Sequence, residues 1–406
     1  MHKLKQSLFI SLWFVFLTFP LLVIRVDTLN KVVEWRWRNM WYVAAGAFVL
    51  SLAWRHFLEK SGRVMPQGFT VSEGKEEFLR WVRAHTQIRK GGMVLAAAFL
   101  LLSPFFLSTY HTNVMTTALI YIVLGLGLNI IVGLTGLLNL GYVAFYAVGA
   151  YCYALLNHHF GVGFWTALPL GVLAGSIAGV LLALPVVRLR GDYLAIVTLG
   201  FGEITRLILE NWNEFSFGPS GISHISPPGF FGINLGVRAN TSYIYFLMLG
   251  FCFFTIFMVR RLQDSRVGRA WIAIREDETA SQAMGIDAAR AKITAFAIGA
   301  GWAGAMGVVF AAKTTFINPA SFNFIESAMI LSIVVLGGIG SIGGIILAAL
   351  LLILLPEYLR VFSDYRMLIF GSAMVVMMIF RPQGILPYVR RSYEFHLQND
   401  PTGQVK

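Results

Sequence analysis

The 406-residue sequence is short of charge, since only 13% of its residues are Asp, Glu, Lys or Arg, against about 25% in a soluble globular domain. It contains two cysteines, Cys152 and Cys252, and both lie in apolar runs, so neither a disulfide framework nor a cysteine metal site is indicated. The shortage of charge excludes an ordinary soluble enzyme or binding module. With 57% hydrophobic residues and a mean hydropathy of +0.70, the composition predicts an all-α polytopic membrane protein.

Nucleotide-binding and catalytic motifs are also missing from the sequence. The only Gly-Lys pair, Gly74-Lys75, is followed by Glu76, and Phe69 stands where a phosphate-binding loop would have its first glycine. No Ser/His/Asp set, paired-carboxylate set or Gly-x-Ser-x-Gly stands out. We therefore expect no catalytic residue, no metal and no cofactor in this chain, and we expect transport as its class of function.

Apolar runs that approach or reach the length needed to cross a hydrocarbon core of about 30 Å recur along the whole chain. They predict ten to twelve transmembrane helices. Two of the candidate segments are weaker, 193–211 because it carries Glu203, Arg206 and Glu210, and 345–359 because it is short. The candidates are 8–26, 41–57, 93–109, 114–133, 138–158, 165–187, 193–211, 241–259, 290–311, 326–344, 345–359 and 364–380.

Basic residues are concentrated in alternate loops, and this bias predicts the orientation. With the N-terminus inside, the outside loops contribute only Arg238 and Lys313, apart from the basic residues of 27–40. The inside loops, which carry most of the Lys and Arg, are 58–92, 188–192 and 260–289. We therefore expect both termini to be cytoplasmic. The net charge of +12 follows from this bias and gives no reason to expect nucleic acid as a partner.

The predicted organisation has three parts. Residues 1–92 are an N-terminal extension with two spans and a basic cytoplasmic loop, in which 74–90 resembles an amphipathic helix on the surface of the lipid or at a partner. Residues 93–390 are the transmembrane domain, and 391–406 are a cytoplasmic tail. Within the domain, 212–240 is rich in Gly, Pro, Ser and Asn and predicts an irregular exposed cap.

Glycine marks both close packing and interruptions of the helices. Gly171, Gly175 and Gly179 recur every four residues, which predicts a close approach of helix backbones. The stretches 125–151 and 334–347 are interrupted apolar runs, and each is either a broken helix lining a wet cavity or a tight turn between two spans. On the first interpretation, the candidate translocation-path residues of 125–151 are Asn129, Gly133, Gly136, Asn139 and Gly141.

Charged residues inside segment 193–211 form a second candidate for the path. Glu203, Arg206 and Glu210 have the spacing i, i+3, i+7 and therefore share one face of a helix. Because charge facing hydrocarbon is costly, we expect this face to point at a protein interior or a cavity. Glu203 and Arg206 are either part of the solute path or members of a structural ion pair.

The stretch REDETASQAMGIDAARAKITAF (275–296) is too polar to cross a bilayer and predicts a helix of roughly 15 residues in a cytoplasmic loop. Its Ala280, Ala283 and Met284, with Ala273 before them, fall on one face that could fit a groove on a partner. Gly285 stands where a helix commonly ends in the left-handed conformation. A solvated, charged loop helix would have a similar sequence, so both interpretations stay open.

Part of this stretch resembles the docking motif of permeases in ATP-binding-cassette (ABC) importers, which is Glu-Ala-Ala, three residues, then Gly. ETASQAMG departs from it, because Glu278 lies one position early, Thr279 stands where Glu belongs, and the usual Leu-Pro is missing. The resemblance makes this segment the cytoplasmic coupling helix. The residues that it implies for contact with an ATPase are Asp277, Glu278, Ala280 and Gly285.

Longer segments resemble one family of such permeases. RLRGDYLAIVTLGFGEITR (188–206), GRAWIAIREDE (268–278), ESAMILSIVVLGGIGS (326–341), RPQGILP (381–387) and the stretch 125–142 are similar to the branched-chain amino-acid importer permeases, in their longer type, LivM. The similarity covers about 93–390. It implies a bacterial inner-membrane protein, a LivH-like permease partner, LivG-like and LivF-like subunits that bind ATP and Mg, and a periplasmic protein that delivers leucine, isoleucine or valine.

Two other classes remain as alternatives. An ion-coupled secondary transporter of a small solute needs an intramembrane carboxylate, and Glu203 or Glu326 could serve. A membrane-embedded enzyme or assembly factor is a further class, for which the sequence offers no motif.

Overall fold

The structure, a computed structural model, describes residues 24–27, 32–35, 100–105, 108–189, 191–229, 236–358, 371–372, 375 and 383–386. The chain divides into two compact units, Met1–Ala96 and Ala97–Lys406. The described part of the first unit is a pair of antiparallel strands, β1 (Ile24–Asp27) and β2 (Val32–Trp35), with Ile24 opposite Trp35.

Several predictions fall on other residues. The predicted span 8–26 lies outside the described residues except for its end, 24–26, which is extended in β1 rather than helical. The predicted span 41–57, the basic loop 58–92 and the tail 391–406 lie outside the described residues, as does nearly all of 364–380. The predicted domain boundaries stay predictions.

The second unit is mainly helical. Besides the helical residues 100–105, its helices are α1 (Thr109–Asn129), α2 (Val143–Phe160), α3 (Phe164–Val186), α4 (Asp192–Asn211), α5 (Asn213–Ser216), α6 (Val237–Gln263), α7 (Arg266–Glu276), α8 (Glu278–Ala283), α9 (Ala288–Thr314), α10 (Phe324–Gly337) and α11 (Ile342–Tyr358). The shorter elements are a π-helical turn, Ile130–Leu134, two 3-10 turns, Gly218–Ser220 and Pro319–Phe322, and two strands, β3 (Ile222–Ser223) and β4 (Phe316–Ile317).

Length and apolar composition make this an all-α polytopic membrane fold, as predicted. Within the described residues, five segments are long and apolar enough to cross a membrane, and α11 is a shorter apolar helix. The five are Thr109–Leu134, Phe164–Val186, Arg238–Gln263, Ala288–Thr314 and Pro319–Gly337. The helix α4 has 20 residues, enough for about 30 Å, but it carries Glu203, Arg206 and Glu210 and is not one of the five.

The two glycine-rich interruptions have different structures. After α1 the chain passes through the π-helical turn and then runs without helix from about 136 to 142 before α2 begins. The helical run in 125–151 is therefore broken at 136–142, and a role of this stretch in the translocation path stays a prediction. In 334–347 the structure has the alternative, a tight turn between α10 and α11, in which Gly338 has φ +107° and Gly340 has φ +88°.

Small residues bring α9 against α2 and α3. A Cβ atom added at Gly304 of α9 would collide with the carbonyl oxygen of Gly171 of α3, and one added at Gly149 of α2 would collide with the backbone of Gly304. Gly175 and Gly179 likewise face Ala300 of α9. The predicted close approach at the four-residue glycine repeat is confirmed.

Residues 212–229 form a compact cap over one end of these helices, where an irregular cap was predicted. The strand β3 pairs with β4, with Ile222 opposite Ile317. The hydroxyl of Tyr153 in α2 donates to the carbonyl of Ser226 at 2.5 Å, which fixes the cap to the bundle. We call this end the cap end, and the opposite end, where α7 and α8 lie, the α7–α8 end.

Candidate functional site: a polar junction at the α7–α8 end

The stretch 275–296 is not the single helix of roughly 15 residues that its composition predicted. The helix α7 has 11 residues and α8 has 6, and Asp277 between them is extended, with φ −155° and ψ 114°. The carboxylate of Asp277 accepts the backbone N–H of Ala280 at 3.0 Å, so Asp277 caps the start of α8. This cap begins a second helix where the prediction continued the first.

The predicted common face is wrong for the same reason, because Ala273 belongs to α7 and the other three residues belong to α8 or its end. Ala280 and Ala283 are nevertheless exposed on α8. The side chain of Met284 follows them and is 84% exposed. The helix α8 therefore presents a small apolar surface, Ala280, Ala283 and Met284, which we call the α8 surface.

Gly285 ends α8 in the left-handed conformation, as predicted, with φ +86°. Its N–H donates to the carbonyl of Gln282 at 2.9 Å, and the N–H of Ile286 donates to the carbonyl of Ser281 at 3.0 Å. These two bonds are the Schellman pattern that closes a helix at a glycine. A side chain at Gly285 would meet no neighbouring atom but would be strained by the positive φ.

Glu278 points into the bundle rather than toward a partner. Its Oε1 lies 2.7 Å from Nζ of Lys292, whose side chain is 2% exposed, whereas the side chain of Glu278 is 20% exposed. Lys292 also donates to the carbonyl of Val187, after α3, at 3.4 Å. The ion pair thus connects the first residue of α8 to the second turn of α9.

Two further hydrogen bonds link α7 and the α10–α11 turn to the interruption after α1. The guanidinium of Arg275, the next-to-last residue of α7, donates to the carbonyl of Gly133 at 2.6 Å. The N–H of Gly340 donates to Oδ1 of Asn129 at 2.9 Å. Glycine is required at position 133, because a Cβ atom there would collide with the Asn129 amide. We call Asn129, Gly133, Arg275, Glu278, Lys292 and Gly340 the polar junction.

A cavity of about 170 Å³ lies against the polar junction. Arg275, Glu278 and Lys292 form part of its wall, with Thr135 and Gly136 of the interruption. At about 30 Å³ per water, it has room for roughly five water molecules. Polar groups of this kind in a wall favour hydration.

Asn139 and Gly141 lie apart from the polar junction, against α4. The Oδ1 of Asn139 accepts the N–H of Gly141 at 2.9 Å, and the N–H of Leu140 donates to the hydroxyl of Thr198 at 3.1 Å. A Cβ atom at Gly141 would collide with the carbonyl oxygen of Thr198. The interruption therefore has two parts, one that contacts α7 and one that contacts α4.

Glu203, Arg206 and Glu210 lie on one face of α4, as predicted, and we call them the charged stripe. Nε of Arg206 is 2.9 Å from Glu203, and its Nη1 is 2.5 Å from Glu210. Their side chains are partly exposed, 34% for Glu203, 25% for Arg206 and 39% for Glu210. The charged stripe is thus an ion-paired set at the edge of the packed side of α4, rather than inside the bundle.

Glu326, the carboxylate considered for an ion-coupled transporter, is also engaged. The hydroxyl of Tyr121 in α1 donates to Oε2 of Glu326, and the backbone N–H of Glu326 donates to Oδ1 of Asn323 at 3.1 Å. It sits in the first turn of α10 and contacts α1 through this hydrogen bond.

The sequence did not single out Arg275 or Lys292 as members of the site, because Arg275 was one of several basic residues in the loop 260–289 and Lys292 lies near the start of the predicted span 290–311. A signal for Lys292 was present. Ala288, Lys292, Ala295 and Gly299 follow the spacing of one helix face, and all four are buried in α9. The partner of Lys292 was not visible, since Glu278 lies 14 residues earlier in another helix.

Comparison with known proteins identifies the family. Residues 110–378 match the model for the permease component of the branched-chain amino acid transport system. The chain belongs to this permease family. It is 43% identical over 385 residues to the LivM permease protein of the high-affinity branched-chain amino acid transport system of Escherichia coli, covering 90% of this chain and 88% of the relative.

Other relatives place the chain within the family. It is 49% identical over 318 residues to the LivM protein of Salmonella typhimurium, covering 73% of this chain and 74% of that protein. It is 24% identical to the LivH permease protein of the same organism, covering 68% of this chain and 93% of that protein. No solved structure matches the chain. The resemblance to the LivM type is confirmed, and an ion-coupled transporter is not favoured.

Proposed function

We propose that this permease is the LivM-type membrane subunit of an ATP-driven importer of leucine, isoleucine and valine in a bacterial inner membrane. In this proposal it pairs with a LivH-like permease, receives its solute from a periplasmic binding protein, and is driven by LivG-like and LivF-like subunits that bind ATP and Mg. The family membership and the names of the relatives support the proposal.

The observation that carries the coupling proposal is the α8 surface. A helix of 6 residues presents exposed Ala280, Ala283 and Met284, and Gly285 ends it with a Schellman pattern that fixes the turn toward α9. A short, capped helix with a small apolar surface and a polar surround suits a groove on a soluble subunit. We propose that Asp277 sets the start of this helix, and that Ala280 and Gly285 contact the ATPase or shape the contact.

Glu278 has a different role in this proposal. Because its carboxylate pairs with buried Lys292, it holds α8 to α9 rather than touching the ATPase. Arg275 at the end of α7 bonds to Gly133, so displacement of α7 and α8 would also pull on the interruption after α1. We propose that Asn129, Gly133 and Gly136 pass this movement into the bundle, and that Asn139 and Gly141 pass it to α4.

The solute path is proposed to run along the charged stripe. Glu203 and Arg206 are partly exposed and ion-paired, so they could meet the ammonium and carboxylate of an amino acid without a large change in net charge. We also propose an orientation in the membrane, in which the α7–α8 end and both termini are cytoplasmic and the cap end is periplasmic. The basic residues in the loops of the α7–α8 end support that orientation.

Reconstituted transport tests the function. The permease, its LivH-like partner, the two ATPases and the binding protein are placed in proteoliposomes, and uptake of labelled leucine is measured with ATP and with a non-hydrolysable analogue. We expect uptake only with ATP and the complete set of subunits. Uptake driven by an ion gradient without the ATPases would contradict the proposal.

Substitutions on α8 test the coupling. Ala280→Glu places a charge on the α8 surface and should reduce both the ATPases that co-purify and the ATP-driven uptake. Gly285→Val forces a β-branched residue into a positive φ, a strain of about 1–3 kcal/mol, and should have the same effect. Ser220→Glu, an exposed change at the cap end, is the matched control and should change neither. Normal uptake by both α8 variants would mean that the stretch is a solvated loop.

A further inference from the structure

The helix α4 has one packed side and one open side. Its buried residues are Leu194, Ala195, Thr198, Gly202 and Leu209, which face α2, α3 and the turn Pro319–Phe322. The open side carries large apolar residues, among which Tyr193 and Ile204 are 74% and 57% exposed. Exposed apolar side chains are ordinary on a membrane helix, because lipid can cover them. The open side of α4 has two further features that lipid does not explain.

The first feature is the charged stripe at its edge. At about 1.5 Å per residue, the charged stripe extends from roughly 17 Å to roughly 27 Å along a helix about 30 Å long, so it lies in the half of α4 nearer the cap end. Two carboxylates and one guanidinium leave a net charge of −1, with each side chain a quarter to two fifths exposed. On a membrane helix, charged side chains are found against protein or water rather than hydrocarbon. The face therefore calls for a covering group that donates hydrogen bonds or carries positive charge.

The second feature is Gly200, which lies on the open side between Ile196 and Ile204. A Cβ atom added there would meet nothing within 4 Å, although added Cβ atoms at Gly141 and Gly202 would touch the chain. Small residues let membrane helices approach closely, and here no described part of the chain occupies the notch. The charged stripe borders the side of the helix that carries the notch.

The helix α3 shows what a lipid face looks like in the same bundle. Leu170, Leu173, Ile177, Leu181 and Leu184 form an exposed row without a charge. Its glycines Gly171, Gly175 and Gly179 are all turned inward against α9. The exposed side of α4 thus has charged side chains at its edge and an exposed glycine, and the exposed side of α3 has neither. In membranes, both features are typical of a contact with protein rather than with lipid.

We propose that the open side of α4, from Gly200 to Glu210, is the surface against which a second permease subunit packs. This rests on the proposed function, in which the partner is a LivH-like chain. The partner must be embedded at the same depth, and the net charge of −1 calls for a basic or hydrogen-bond-donating side chain on its contacting helix. The charged stripe then lies at the seam between the two permeases, where the proposed solute path also runs.

Photo-crosslinking in the assembled transporter tests the surface. The permease is expressed with its LivH-like partner and both ATPases, with p-benzoylphenylalanine at Ile204 of α4 or at Ile177 of α3, sites that are 57% and 59% exposed. We expect an adduct with the LivH-like permease from the Ile204 variant and none from the Ile177 variant. An Ile204 adduct with this chain, with a second copy of it or with lipid only would overturn the proposal, as would equal yields at both sites.

A change of size at the notch gives an independent readout. Because a Cβ atom at Gly200 would meet no atom of its own chain within 4 Å, Gly200→Leu should leave expression and monomer folding unchanged. It should lower the amount of co-purifying partner about tenfold, as when extra methylenes are forced into a packed interface. Leu173→Trp on α3 is the control and should retain the partner. Full retention by Gly200→Leu would count against the surface, whereas the absence of any partner from the wild-type complex would count against the proposed function itself.

Discussion

The ion pair between Glu278 and Lys292 allows a quantitative test of how α8 is held to the bundle. Glu278→Gln removes the negative charge that compensates the ammonium of Lys292 in a site that is 2% exposed, and leaves only neutral acceptors such as the Val187 carbonyl at 3.4 Å. Breaking a buried pair by removing one partner costs about 3–5 kcal/mol. Lys292→Met leaves a carboxylate that is 20% exposed and can reach water, so we expect a smaller cost of about 1–3 kcal/mol.

The double variant distinguishes charge compensation from simple loss of contact. With both charges removed, no uncompensated ion remains, and neutral replacements of similar volume are often tolerated. We therefore expect the double variant to be more stable than Glu278→Gln alone. Additive costs would show that the two residues act independently.

Hydrogen–deuterium exchange of the segment 277–287 in the purified complex is the assay, because it reports the opening of α8 itself. A loss of 3 kcal/mol accelerates exchange about a hundredfold, provided that opening stays local. The exposed pair Arg290–Asp287 provides the control, with side chains 87% and 54% exposed. Arg290→Gln should change the rate less than about threefold, since such pairs contribute little. A double variant that exchanges as fast as Glu278→Gln, or faster, would refute the reasoning.

Three further outcomes are expected. Cysteines at Met284 and Ser220, in a background without the native cysteines, should react with a membrane-impermeant reagent from opposite sides, and labelling from one side would refute the orientation. Gly141→Ala should reduce the yield of folded protein, because the added methyl group collides with the Thr198 carbonyl and such overpacking costs about 1–3 kcal/mol. A normal yield and a normal gel-filtration profile would contradict this. Glu203→Gln should leave assembly intact, because the stripe keeps its second ion pair, and should lower leucine uptake per complex; unchanged uptake would contradict a role in the path.

The spans could be predicted from the sequence because their length and apolar composition are set by the membrane. The helix α4 was predicted at 193–211 and occurs at Asp192–Asn211, although its charged residues weaken the apolar pattern. The glycine repeat at Gly171, Gly175 and Gly179 predicted a close approach, but the choice of α9 as the partner helix depends on the tertiary packing. The local sequence pattern therefore predicts the helices, but it does not predict which helices pack against each other.

The site was harder to predict, for two physical reasons. The run Glu276-Asp277-Glu278 hid the cap at Asp277, because a carboxylate can be a solvated charge or an N-cap, and only the backbone geometry distinguishes them. The ion pair of Glu278 and Lys292 joins two helices, so no local spacing indicates it. The stretches 125–151 and 334–347 are both rich in glycine, but the first contains an irregular segment at 136–142 and the second a tight turn.

The glycine contacts of α9 have a mechanical consequence. Where Gly304 meets Gly149 and Gly171 backbone to backbone, no layer of side chains remains that could repack to absorb sliding, so α2, α3 and α9 should turn as one stiff body. The helix α9 has 27 residues and is about 40 Å long. Near its first residue, α9 is joined to α8 by the ion pair of Lys292. If α9 tilts by about 10° about that end, its other end, beside the cap, moves by about 7 Å. A small displacement at the α7–α8 end would thus produce, at the cap end, a displacement about as large as an amino acid side chain.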